Sequence, residues 1–129
     1  MFSDPWNPPS TEVRAWAYTA GAIAPCEDWD LSLLAARHER DYLEFAADPH
    51  CPNSDYFLHI LYFVVGSAVR SKYRSIPEPV IRGFIDLASK AKSQRSQSWR
   101  VRALRLLNRP EKFQYAAWCG GGGLARDPS

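Results

Sequence analysis

Tyr56-Phe57-Leu58-His59-Ile60-Leu61-Tyr62-Phe63-Val64-Val65 is the stretch on which the fold turns. Its β-branched and aromatic residues suit a buried strand as well as a buried helix, and periodicity alone does not separate the two. Length does. The apolar pattern continues through Ala68, Val69 and Tyr73, which is helix length. A helix apolar nearly all round is one enclosed by neighbours. Asn53 or Ser54 supplies an N-cap, and Arg70, Lys72 and Arg74 stand at the C-terminal end, where the helix dipole favours cations. Gly66 permits a close helix crossing, at about 1 kcal/mol against Ala.

Four further helices read outward from this core. Ser10 or Thr11 caps a short one with Val13, Trp16 and Ala17 on one face, and Gly21 and Pro25 break the chain after it. A second starts at Asp28 or Asp30 and runs to Asp48-Pro49. It carries Leu31, Leu34, His38, Tyr42, Phe45 and Ala46 at three- and four-residue spacing. Downstream, Ser75-Ile76-Pro77-Glu78 reads as a capping box opening a helix with Val80, Ile81, Phe84, Ile85, Leu87 and Ala88. Residues 92–98 read as a turn or frayed end. A last helix then places Trp99, Ala103, Leu106 and Leu107 on one face, and Pro110 ends it.

Strand alternation is scarce, so the expectation is an all-α fold: a single compact helical domain over residues 1–119 with about five helices. An antiparallel bundle and a HEAT-like stack of helix pairs both fit. Residues 120–129 read as a flexible, Gly-rich C-terminal tail after Trp118. The run Gly120-Gly121-Gly122-Gly123 lacks the Lys-Ser/Thr and the following helix of a phosphate loop.

The net charge of +2 conceals a split. Residues 1–60 hold three basic side chains against ten acidic ones, net −7; residues 61–129 hold thirteen against four, net +9. The negative part includes Glu27, Asp28, Asp30, Glu39, Asp41 and Glu44, a candidate acidic face for a basic protein partner. The positive part includes Arg95, Arg102, Arg105 and Arg109, one stripe of the last helix, with Arg100 beside it. Such a stripe can neutralise phosphates or pair with the acidic helix inside the fold.

Catalytic and metal readings find less. Cys26, His38, His50, Cys51, His59 and Cys119 lack the paired spacing of a zinc site, so neither metal nor cofactor is expected. Cys51 beside His50, just before a helix N-terminus that lowers a thiol pKa, is the best nucleophile and ranks third among the functional readings. Three widely spaced cysteines and a start without signal-peptide character point to a reduced, cytoplasmic chain, and no apolar run suits a bilayer span. Trp6, Trp29 and Trp118 sit at segment edges, either as binding anchors or as pins for the ends.

The leading expectation is therefore a non-enzymatic protein-binding module. Its physical type suits a bacterial immunity or antitoxin-like inhibitor whose acidic helix face meets a basic toxin or nuclease. The alternative is a nucleic-acid-binding or regulatory module using the arginine stripe.

Overall fold

The computed structural model describes residues 4–113 and Trp118. The expected tail, Cys119 and the domain boundary after it lie outside the described residues. All regular structure among those residues is helical, in the order α1 (Ser10–Ala17), α2 (Trp29–Ala36), α3 (Glu39–Ala47), α4 (Ser54–Arg70), α5 (Glu78–Leu87) and α6 (Gln94–Asn108). Short 3-10 turns follow α5 (Ala88–Lys90) and α6 (Pro110–Lys112).

The decisive stretch is a helix and it is the centre. Eleven of the seventeen residues of α4 are buried, and α2, α3, α5 and α6 all pack on it. That arrangement is a bundle around one helix rather than a stack of helix pairs. An aromatic cluster joins α4 to the N-terminal half. Phe57 lies 4.9 Å from Phe45 and 5.8 Å from Tyr42 between ring centroids, while Tyr56 stacks on Trp29 at 5.8 Å. Phe84 and Trp99 join α5 to α6 at 5.3 Å. Trp118 is buried and its Nε1 donates to the Tyr62 carbonyl at 2.7 Å, which ties this side chain to the core.

Six α-helices appear where the periodicity gives five, because the expected second helix breaks. Arg37 takes φ 63°, a left-handed conformation that costs a non-glycine residue about 1–2 kcal/mol. The break frees α3 to run back along α4. It is held by Tyr42 Oη, which donates to the Leu33 carbonyl at 2.7 Å across the corner. His38 falls in the break, not on an apolar face, and its Nε2 lies 3.0 Å from the Pro8 carbonyl.

Two caps also differ from the sequence reading. The residue before α5 is Pro77, and Ser75 turns back instead, its Oγ 3.0 Å from the Ser71 hydroxyl. The expected frayed segment begins α6: Ser93 caps it, accepting from the Ser96 N–H at 3.3 Å. Asn53 does not cap α4 with its side chain. Its Nδ2 reaches the carbonyls of Trp16, Ala17 and Thr19 at 2.8–3.0 Å, closing the C-terminal end of α1.

Ser96 is fully buried and its hydroxyl has no hydrogen-bond partner among the described residues. Leaving a buried hydroxyl unpaired costs about 1–3 kcal/mol. Ser96→Ala is therefore expected to stabilise the fold by about 1 kcal/mol, read as a higher urea midpoint at unchanged slope. A lower midpoint would show that the hydroxyl is bonded in solution.

Candidate protein-binding surface

The six acidic candidates divide into spent and unspent groups. Asp41 and Glu44 on α3 face Arg14 of α1, at 3.4 and 2.5 Å, and Asp41 also accepts from the Ser10 hydroxyl. Glu39 pairs with Arg37, and Asp30 lies 3.7 Å from His59 Nε2. Glu27 and Asp28 are exposed, with no ion pair among the described residues. These acids are not neutralised by the arginine stripe. Its members turn elsewhere: Arg95 Nη1 meets Asp55 at 2.5 Å, and Arg102 Nη1 donates to Tyr62 Oη at 2.8 Å. The neighbouring Arg100 lies 4.0 Å from Asp86.

The unspent acids follow, in the chain, a loop that forms a groove with α1. Glu12, Ala15 and Trp16 of α1, continued by Thr19 just beyond its end, form one stripe at helical spacing, opposite the buried Val13 and Ala17. Gly21 at φ +71° reverses the chain, a conformation glycine takes without steric cost. Ala22, Ile23 and Pro25 return along the stripe. Trp16 Nε1 donates to the Ile23 carbonyl at 3.0 Å and fixes the loop over the helix. The groove volume is about 490 Å³. Ile23 is 85% exposed, the largest exposure among the big apolar side chains described. Trp16 is held from below by Trp29, 4.8 Å away, so the groove floor rests on the core. Trp29 is itself buried, and Trp6 is exposed.

Sequence reasoning singled out neither the groove nor Ile23. One signal was present. Ala20-Gly21-Ala22-Ile23-Ala24-Pro25 is an apolar connection between helices, where polar turn residues are the rule.

The cysteine nucleophile does not survive. Cys51 is buried, its Sγ donates to the Ala17 carbonyl at 3.3 Å, and burial pushes its thiol pKa up, outweighing the bond from the Asn53 amide. His50 is exposed, and what the chain places near it is Asp48, which accepts from the His50 N–H at 2.8 Å. Among the described residues no three His, Cys, Asp or Glu side chains gather as metal ligands, and no helix is long and apolar enough to cross a membrane.

Asp48 also accepts from Tyr18 Oη at 2.6 Å, tying the end of α1 to the end of α3. That bond, with burial behind it, raises the Tyr18 pKa from 10.0 to about 12, and the same bond lowers the Asp48 pKa. A phenol whose folded pKa is raised stabilises the fold fully below its unfolded pKa and loses that contribution as pH rises through the folded one. The stability gap between the wild type and Tyr18→Phe is thus expected to shrink from about pH 10 to about pH 12. Asp48, with its depressed pKa, loses its share instead as pH falls through the folded value. Urea midpoints of both proteins across these ranges measure it, and a gap constant with pH would contradict the pairing.

No family model matches the chain, and neither a curated protein nor a solved structure shows significant similarity to it.

Proposed function

We propose that this protein is a protein-binding module whose contact surface is the groove between α1 and its returning loop, approached past Glu27 and Asp28. The observation that carries the reading is Ile23, a large apolar side chain 85% exposed yet held in place by a hydrogen bond at its own carbonyl. An exposed apolar anchor on a fixed backbone loses little entropy on binding, which is how contact energy concentrates in a few residues. A partner that fits places an apolar ridge, such as one face of a helix, into the groove and sets basic residues beside the two acids.

The finer form of this reading is a stoichiometric inhibitor of a basic protein, of the bacterial immunity or antitoxin kind, with a toxin or nuclease as its target. It acts by occupying a surface rather than by chemistry, in a reducing, cytoplasmic setting that its free thiols at Cys26 and Cys51 suit. Affinity capture from the native extract tests it, with wild type and Ile23→Glu as baits at low and high salt. The reading expects a basic protein retained by the wild type, released by salt and not retained by Ile23→Glu. Equal retention by both baits, or no salt-sensitive protein, overturns it.

A further inference from the structure

A second surface lies at the opposite end of α4. Asp55 with Arg95, and Tyr62 with Arg102, are pairs of the same sequence separation of 40 residues. Two such pairs fix α4 and α6 side by side, parallel and in constant register. Two further turns bring Arg109, the residue closing α6, level with Val69 in the last turn of α4. Arg105 stands one turn earlier on α6. Beyond α4 the chain turns through Lys72 and Tyr73, both left-handed, and the Tyr73 N–H donates to the Ala68 carbonyl at 2.7 Å. That helix-ending bond fixes where Lys72 and Arg74 emerge.

Lys72, Arg74, Arg105 and Arg109 are all exposed, and none has a carboxylate partner among the described residues. The nearby acids are few. Glu78 is held by Arg82 at 2.8 Å, and Glu111 follows Arg109 in the chain. Two helix C-termini side by side add about one negative charge in all. Four cations exceed that charge and Glu111 together. Asp55 opens α4, some fifteen residues and about 22 Å from its end, and Glu39, which lies nearer beside Val64 and Ile76, is taken up by Arg37. The Debye length is about 10 Å at 0.1 M salt, so Asp55 is electrically separate from this end.

We propose that the paired ends of α4 and α6 bind the phosphate backbone of nucleic acid, without reading its sequence. Three of the four cations are arginines, whose planar fork matches phosphate oxygens. The apolar residues of this end, Val69, Leu106 and Leu107, are buried, so α4 and α6 offer charge there without a wedge to enter a bilayer. The surface differs from the arginine stripe read from sequence, because Arg95 is taken up by Asp55 and Arg102 by Tyr62, and the end of α4 replaces them.

Fluorescence anisotropy of the full chain with a short DNA duplex and with single-stranded RNA, across a salt series, tests this. Four phosphate contacts give a slope of about −3 to −4 in log K against log salt for duplex DNA. Arg105→Glu with Arg109→Glu is expected to cut affinity at low salt more than about tenfold and to halve that slope. Arg74→Glu, on the turn rather than a helix, acts in the same direction by itself. Lys92→Glu, at the other end of α6, and Ile23→Glu leave binding unchanged, which separates this site from the groove. Circular dichroism checks that each variant keeps its helices. No binding of either nucleic acid at low salt overturns the proposal. So does wild-type affinity in the triple variant with Arg74→Glu added, or binding to phosphatidylserine vesicles without binding to nucleic acid.

Discussion

Phe57→Ala costs about 3–5 kcal/mol, a large fraction of the about 5–15 kcal/mol that holds a domain together. Phe57 is fully buried, and its ring meets Trp16, Tyr42, Phe45 and Tyr56 at centroid distances between 4.9 and 5.9 Å. Those neighbours belong to α1, α3 and α4, so truncation opens a cavity where three helices meet. Collapse into that cavity is limited because each neighbour is itself a ring in an edge or stacked contact. Thermal and urea unfolding followed by circular dichroism measures the loss, with Phe57→Leu expected to cost well under half as much. A loss below about 1 kcal/mol for Phe57→Ala would mean that the aromatic cluster is not the structural centre. The same substitution reaches function, because Trp16 floors the groove and rests on this cluster.

Ile23→Glu should leave the fold untouched and weaken partner binding by about 30-fold or more, the effect of losing a hot-spot side chain. The exposure that makes Ile23 dispensable for stability makes it available for contact, so the two readouts move independently. Charge reversal at Glu27 and Asp28 is expected to act differently. Residues at the edge of an interface change association rate and salt dependence more than dissociation. Titration of the captured partner against wild type, Ile23→Glu and the Glu27→Lys/Asp28→Lys pair separates these effects. Equal affinity for wild type and Ile23→Glu would move the binding surface elsewhere on the molecule.

The core and the fold class were readable because burial leaves a pattern: α4 announces itself by an apolar run that only enclosure explains. The break at Arg37 was not readable. Arginine carries no signal for a left-handed conformation, and the apolar spacing continues across the break, so one long helix and two short ones look alike in sequence. Ser75 and Asn53 carry ordinary capping signals, but the Ser71 hydroxyl in the preceding turn takes the first and the carbonyls ending α1 take the second. Cys51 sits where a helix N-terminus would activate a thiol, yet burial dominates and raises its pKa.

Charge placement was half legible. The split between the chain's halves is kept only in part: Lys72 and Arg74 follow the last turn of α4, far from Asp55 in its first, but Arg95 of the basic half sits against Asp55. Which charges are spent could not be read, since Arg14, from the acidic half itself, takes up Asp41 and Glu44. The groove escaped because its residues come from a short helix and a loop, and their alignment depends on one indole hydrogen bond.

Photocrosslinking from position 23 tests the protein-binding reading most directly. A benzophenone amino acid replaces Ile23 in one variant and Val101, 44% exposed on α6, in another. Irradiation in the native cell is expected to join a basic protein to the chain from position 23 alone, through that partner's apolar surface. No crosslinked product from position 23, or the same products from both positions, would contradict a binding surface at this groove.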